Sequence, residues 1–319
     1  MLGRRAALLL FTGLLFVPIA QAEVLSEPSM TEGYSVTDFS RLLKLKTNVE
    51  LLQHAHKSRV AEGRELINTP LGDVAMRWPR SGVNTSSVRA ADSVKAAWGA
   101  VAAALEQLGF PERLRSANYD WNLVLQNGVP TGGKGRLLSS AHCHTAWMGP
   151  PADIVVNYDR LLNPCGAAGG ERAPAQILTG ALIHEIAHAV EFQLLDKGFS
   201  RRQRWHSEGF ASWFESVIVD GMSGASGHRS LNAELKERAK RMFKDSWSPY
   251  TFDGSPADYA RSFTLISAIV ELRGVQGLVA IYDRMARDNC VFADAVQAEF
   301  GWDQRTWWQE ARQALDRSS

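Results

Sequence analysis

The sequence predicts an α+β fold in which helices predominate, and three features of the pattern lead to this prediction. Apolar residues recur at helical spacing over most of the chain, as at Val94, Trp98 and Val101. Two short runs, residues 121–126 and 153–157, alternate or are rich in β-branched residues, which is typical of strands. Glycine-rich turns lie between these runs, and helical stripes return after residue 174. We therefore expect a small sheet that lies between helices in the chain order.

Residues 1–22 are predicted to form a cleavable signal peptide. Arg4 and Arg5 precede an apolar run over residues 6–17, and Ala20-Gln21-Ala22 has the small residues of a cleavage site. The run is too short to span a bilayer comfortably, and we expect no later stretch to be long and apolar enough to do so. The sequence thus predicts a soluble periplasmic or secreted protein with no stable membrane insertion after cleavage.

Residues 23–88 are predicted to form an N-terminal helical extension to one larger domain over residues 89–319. A helical stripe passes through Phe39, Leu43 and Val60. Residues 68–87 contain several turn-forming residues and are expected to end the extension.

The charge balance indicates which partners to expect, and the cysteine positions indicate which disulfides to expect. The chain carries 35 basic and 34 acidic residues, a balance that gives no indication of nucleic acid as partner. Of its three cysteines, Cys143 and Cys165 flank one loop-rich stretch and are the preferred disulfide, with the pairs that involve Cys290, or no pair, as alternatives. No C-x-x-C spacing occurs, so cysteine ligation of a metal is not expected.

The segment His184-Glu185-Ile186-Ala187-His188 is an HExxH pattern, which indicates a metal site. Residues four apart in a helix lie one above the other, so His184 and His188 can bind one metal ion. Glu185 is then a candidate general base for activating water. Pro174 fits the first turn of this helix, and the stripe that holds both histidines is otherwise mostly apolar. Gly180, one turn before His184, would let another backbone or a substrate come close.

A hydrolytic zinc site needs a third protein ligand and an open fourth position. The preferred third ligand is Glu208, in the segment WHSEGFASWF near the start of a second amphipathic helix. The apolar face of that helix holds Phe210 and Phe214. Asp196 and His206 remain alternatives for the third ligand.

With these two motifs the chain resembles the gluzincin clan of zinc metallopeptidases, which includes thermolysin and aminopeptidase N. The segment from Trp205 to Ala211 is similar to the W-x-x-E-G-x-A signature in which a second helix supplies the third zinc ligand. The resemblance implies a zincin-like catalytic domain over residues 89–319. Such a domain has a small mixed sheet with an edge strand, the HExxH helix, a glutamate helix and a helical C-terminal part. No G-x-M-E-N segment, which captures the substrate amine in aminopeptidases, precedes His184. The small gluzincin-like peptidases of bacteria are therefore the closer resemblance.

The resemblance also implies a tyrosine that donates a hydrogen bond to the oxyanion, from the helical region after the glutamate helix. Tyr259 opens a predicted helix there and is the preferred residue, with Tyr250 and His228 as alternatives.

The sequence thus predicts an exported zinc metallopeptidase with one Zn²⁺ ion, which hydrolyses peptide or protein substrates with Glu185 as base. Two alternatives stay open. One is a zinc-binding pseudoenzyme or binding module on the same fold, and the other is a zinc amidase that acts on non-peptide amides.

Overall fold

The computed structural model describes residues 62–79, 90–115, 120–126, 146–149, 153–157, 174–195, 201–223, 230–242, 252 and 254–317. The predicted signal peptide and the preferred disulfide between Cys143 and Cys165 lie outside the described residues, as do Asp196, His228 and Tyr250. Cys290 is a free cysteine.

The described strands form one mixed five-stranded sheet in the order β1-β2-β3-β5-β4. The pairs β2–β3 and β3–β5 are parallel, whereas β1–β2 and β5–β4 are antiparallel. A mixed α+β fold with a small sheet was predicted, and in this sheet β4 is one of the two edge strands. The strands are β1 Glu62–Thr69, β2 Gly72–Pro79, β3 Trp121–Gln126, β4 Ala146–Gly149 and β5 Asp153–Asn157.

The hairpin β1–β2 occupies residues 62–79, where the sequence predicted the last part of a helical extension and the start of a turn region. In its register Glu62 pairs with Pro79 at the open end and Thr69 pairs with Gly72 at the turn, so this part of the predicted extension is strand. Gly72, the first residue of β2 after the turn, has a φ of 105°, a value that L side chains rarely adopt. β2 then pairs with β3, so the sheet begins inside the expected extension.

The described residues form eight helices, and α3 contains the HExxH motif. The helices are α1 Ala90–Gln107, α2 Glu112–Arg115, α3 Pro174–Leu195, α4 Arg204–Ser223, α5 Leu231–Met242, α6 Pro256–Asp288, α7 Phe292–Phe300 and α8 Gln304–Arg317.

One face of the sheet is covered by α1 and α3. These helices contact each other, while α1 contacts β1 and α3 contacts the edge strand β4. Trp98 of α1 meets Trp121 of β3 edge to face at 5.2 Å, and both indoles are fully buried. On its far side α3 packs against α4, which in turn packs against α6. The motif helix therefore lies between the sheet and the glutamate helix.

α4 and α6 approach closely at Gly209, the residue after Glu208. A Cβ placed on Gly209 would lie 2.6 Å from the carbonyl oxygen of Ser262 and 2.9 Å from the side chain of Ile266. Such distances are too short for any larger residue without moving a helix. The glycine of the glutamate motif is therefore a packing requirement that sets how near α6 comes to the site.

Among the described helices, α6 is the one long and apolar enough to cross a membrane by length and composition alone, with a mean hydropathy of 1.5 over its most apolar window. A buried core helix passes the same test. Half of that window is buried within the fold, including Phe263, Ile266 and Ile269. Gly274, with φ 69° and ψ 175°, interrupts the helix.

Candidate metal centre

Three side chains from α3 and α4 converge as the sequence predicted they would. His184 and His188 lie one turn apart on α3, with ring centroids 5.1 Å apart. Oε2 of Glu208 from α4 lies 3.3 Å from Nε2 of His184 and 3.5 Å from Nε2 of His188. One donor atom from each residue lies within 4.8 Å of the other two, a spacing at which the three could hold one metal ion.

The chemistry of this donor set fits zinc. Two imidazole nitrogens and one carboxylate oxygen leave a fourth tetrahedral position open, which is the ligand set of thermolysin-type hydrolytic sites. Burial alone would raise the pKa of Glu208, but hydrogen bonds from both histidines hold it well below its ordinary value. Glu208 is therefore an anion throughout the neutral range. Its charge matches a dication in a half-buried site.

Glu215, two turns after Glu208 on α4, orients His184. Its Oε2 lies 3.1 Å from Nδ1 of His184, on the side of the ring away from Glu208. A carboxylate in this place favours a proton on Nδ1 and leaves Nε2 free to bind a metal. Gly180 makes room for it, because a Cβ there would lie 3.0 Å from Oε1 of Glu215. The sequence predicted that another backbone or a substrate would come close at Gly180, whereas the nearest group in the structure is the side chain of Glu215 on α4.

His188 has a separate set of contacts on its Nδ1. The hydroxyl of Ser207 lies 3.1 Å from this nitrogen, and a guanidinium nitrogen of Arg202 lies 3.3 Å from it. Ser207 also donates to Oε2 of Glu191 at 2.5 Å, and Nε of Arg202 donates to the same oxygen at 3.0 Å. Behind each predicted histidine ligand there is therefore a buried or half-buried carboxylate.

Glu191 is an ionised carboxylate inside the core. It is fully buried. Burial alone would raise its pKa, but the charge of Arg202 and hydrogen bonds from neighbouring side chains hold the pKa well below its ordinary value. Its other oxygen, Oε1, accepts a hydrogen bond from the hydroxyl of Tyr282 at 3.3 Å.

His206, an alternative third ligand in the sequence, does not join the metal cluster. Its Nε2 accepts the backbone N–H of Gln203 at 2.8 Å, so its Nδ1 carries the proton of the neutral ring. That Nδ1 lies 3.1 Å from Oε1 of Glu191, outside good hydrogen-bond geometry. Burial lowers the pKa of His206, and the ring stacks on Phe292 at 4.8 Å. His206 is a neutral core residue.

Glu185, the predicted base, lies beside the cluster and is buried, with 6% of its surface exposed. Burial raises its pKa, although the two neighbouring histidines lower it in part. Among the described residues it makes no hydrogen bond or ion pair. A buried carboxylate with a raised pKa has the properties of a general base.

Tyr259, the predicted oxyanion donor, lies near the start of α6 and beside the cluster. Its ring centroid is 6.4 Å from that of His184. Burial raises its pKa, and the charge of Glu208 raises it further, so its hydroxyl keeps its proton. Arg204 lies next to this hydroxyl and places its Nε 3.6 Å from Oε1 of Glu208. The guanidinium also covers the ring of Phe252 at 5.3 Å.

Sequence reasoning did not assign Glu191, Arg202, Ser207 and Glu215 to the site. Glu191 left a signal, because it is an acidic residue on the otherwise apolar stripe of α3, one turn after His188. Glu215 is seven residues after Glu208 and so shares its helix face. No sequence pattern identifies Arg202 or Ser207 as part of the site, because their roles depend on how the loop before α4 folds against α3.

The chain is similar to solved structures of zinc peptidases. One is an aminopeptidase N family protein from Idiomarina loihiensis, with 12% identity, a TM-score of 0.49, and coverage of 78% of this chain and 46% of that one. Another is an M1 zinc metallopeptidase from Deinococcus radiodurans, with 10% identity, a TM-score of 0.39, and coverage of 79% and 51%. The chain thus spans about half the length of the structures it matches. At these TM-scores the similarity carries no argument about activity.

No protein-family model matches the chain, and no curated protein matches it. The function is therefore inferred from the geometry of the site.

Proposed function

We propose that this protein is a zinc-dependent metallopeptidase of the gluzincin type, in which His184, His188 and Glu208 bind one Zn²⁺ ion. The observation that carries the proposal is their convergence within 4.8 Å, beside a buried carboxylate, Glu185, on the same helix. A scaffold that only bound zinc would not need this fourth group. Burial beside the cluster and a raised pKa are what a base for water requires.

Each residue of the proposed site has a separate role in hydrolysis. Zinc, when bound, acts as a Lewis acid on the scissile carbonyl and acidifies water. Glu185 accepts the proton of the attacking water and passes it to the leaving amine. Tyr259, whose hydroxyl keeps its proton, donates a hydrogen bond to the oxygen that becomes negatively charged. Glu215 and the contacts of His188 hold the imidazoles in place.

The substrate is proposed to be a peptide or protein met outside the cytoplasm, after removal of residues 1–22. The sequence of that leader supports export. No G-x-M-E-N segment precedes the motif to hold a free amino terminus, which argues against strict aminopeptidase action.

Hydrolysis of a mixed peptide library by the purified mature protein tests the proposal. We expect cleavage that a chelator abolishes and that added zinc restores. Glu185→Gln should retain zinc and fold, because Glu185 is not a ligand, while its rate falls about 10²–10⁴-fold, the usual contribution of a positioned base. Equal rates for Glu185→Gln and wild type would rule out this mechanism.

The same experiment separates the two alternatives. A zinc-loaded wild type that cleaves no peptide but hydrolyses other amides in a Glu185-dependent way would be an amidase. A zinc-loaded wild type that hydrolyses neither class would be a binding protein on the same fold.

A further inference from the structure

Glu191 is a buried charge that the hydrolytic reaction itself does not use. It lies one turn after His188 on α3, and its Oε2 is 3.9 Å from Nδ1 of that histidine, too far for a direct hydrogen bond. Its contacts come from three further elements: Arg202 before α4, Ser207 on α4 and Tyr282 on α6. An ion buried completely inside a protein is expensive, so its place beside a predicted ligand calls for a reason.

Ser207 provides the connection between Glu191 and His188. A hydroxyl has one proton to donate and can accept two hydrogen bonds. Oε2 of Glu191 is paired with the guanidinium of Arg202 at 3.0 Å and therefore accepts the proton of Ser207, whose oxygen lies 2.5 Å away. A guanidinium nitrogen of Arg202 donates to the same Ser207 oxygen. One accepting position is left on Ser207, and Nδ1 of His188 lies 3.1 Å from it.

This arrangement determines which ring nitrogen of His188 carries the proton. A guanidinium nitrogen of Arg202 also lies 3.3 Å from Nδ1, but it lies closer to the Ser207 oxygen and donates there. Since the proton of Ser207 is directed to Glu191, the hydroxyl accepts from Nδ1 at 3.1 Å, which favours the ring form with the proton on Nδ1. Neutral imidazole has one N–H, and Nε2 then keeps its lone pair. Nε2 is the nitrogen that faces Oε2 of Glu208 across the candidate metal position.

We propose that Glu191 is a positioning residue of the metal site, which acts through Ser207 to fix His188 in the tautomer that presents Nε2 to the metal. The inference rests on the metal centre of the proposed function. The contacts from Glu191 through Ser207 to His188 form a relay. Arg202 supports this relay, because it balances the charge of Glu191 and occupies the other accepting position of Ser207. Partners of this kind typically change metal affinity about 10–100-fold.

Zinc affinity of the purified full chain, measured by competition with a chelator, tests the relay. Ser207→Ala removes its central hydroxyl with little change in shape, and we expect zinc to bind about 10–100-fold more weakly. The double variant Glu191→Met/Arg202→Met removes the buried ion pair as a unit, so that neither charge is left alone in the core. The double variant should lose zinc affinity to a similar degree. Adding Ser207→Ala to the double variant should have little further effect on the affinity, because the three groups act in series.

Tyr282→Phe is the matched control. It removes the hydroxyl that bonds to Oε1 of Glu191 and leaves the Oε2 side, which faces Ser207, untouched. We expect its zinc affinity to stay within about threefold of wild type, even where its stability falls by the ordinary value of one hydrogen bond. An equal loss of zinc affinity in Tyr282→Phe and Ser207→Ala would overturn the proposal, since general loosening of the core would then explain both.

A second measurement reads the tautomer directly. Nitrogen NMR of metal-free wild type with neutral imidazoles should show His188 protonated on Nδ1, and Ser207→Ala should shift population toward the Nε2–H form. Unchanged zinc affinity and tautomer in Ser207→Ala would also overturn the proposal. A wild type that binds no zinc would instead refute the metal centre of the proposed function, which keeps the two failures distinct.

Discussion

Oε2 of Glu215 lies 3.1 Å from Nδ1 of His184, while Nε2 of the same ring faces Glu208 at 3.3 Å. The imidazole is thus held between two carboxylates of one helix, seven residues apart. One carboxylate is placed to share the metal, and the other is placed to set the orientation of the ring. α4 therefore supplies both a predicted ligand and the support for a ligand on α3.

Glu215→Gln is expected to weaken zinc binding about 10–100-fold, because the amide no longer favours a proton on Nδ1 of His184. Chelator competition measures the change. Glu271→Gln is the control, since it removes a carboxylate that pairs with Lys236 away from the site. An equal effect of both substitutions would show that net charge, and not the orientation of His184, governs the affinity.

Gly209→Ala should destabilise the protein and weaken the site. The new methyl group would collide with the backbone of Ser262, so α6 and α4 must separate. We expect a loss of about 1–3 kcal/mol in the free energy of unfolding, measured by denaturant titration. Gly221→Ala is the control on the same helix, where a Cβ meets nothing within 4 Å. It should stabilise by up to about 1 kcal/mol, and matching destabilisation in both variants would contradict the packing argument.

Tyr259→Phe should leave zinc content and fold intact while it lowers the rate of hydrolysis. Loss of one donor to the oxyanion is worth about 10²–10³-fold in kcat. Steady-state kinetics on any peptide found to be cleaved gives the comparison. A kcat equal to that of wild type would remove Tyr259 from the mechanism.

Zinc affinity should rise with pH. Burial alone would lower the pKa of His184 and of His188, but neighbouring carboxylates raise both above the ordinary 6.5 in the metal-free protein. Zinc binds only the neutral rings, so protons compete with it until the pH exceeds these raised values. Titration calorimetry in buffers of different ionisation heat should show proton release on zinc binding near neutral pH. Affinity that does not vary between about pH 6 and pH 9 would contradict this account.

The free energy of unfolding of the metal-free protein should fall as the pH rises, whereas zinc affinity should increase. A group whose pKa is raised by folding stabilises the folded state below its unfolded value, here 6.5, and the gain is lost as the pH rises through the folded value. The free energy of unfolding of the metal-free protein should therefore decline above neutral pH. Added zinc should reverse that decline.

The sequence predicted the parts of the structure that rest on local pattern. Pro174 and the mostly apolar stripe that holds both histidines predicted the helix that the structure shows as α3, Pro174–Leu195. The three predicted ligands meet because a motif on each of two amphipathic helices fixes which face is buried.

What the sequence did not predict depends on contacts between distant segments. The hairpin β1–β2 carries exposed Leu66 beside buried Ile67, so its alternation is weak and Pro70 suggested only a turn. α5 has almost no apolar face, and its first turn is held by Asp220 of α4, which accepts the N–H of Leu231 at 2.6 Å. The relay from Glu191 to His188 likewise exists only once α3 and α4 have packed together.

The metal content of three purified proteins tests the central assignment most directly. Elemental analysis of wild type should find one zinc per chain, whereas His184→Ala and Glu208→Ala should each lose most of it, since a three-ligand site reduced to two binds weakly. X-ray absorption of wild type should show only nitrogen and oxygen donors at about 2.0–2.2 Å. Full zinc in Glu208→Ala together with none in His184→Ala would exclude Glu208 as the third ligand. A wild type that binds no zinc after incubation with an excess of the ion would refute the metal centre itself.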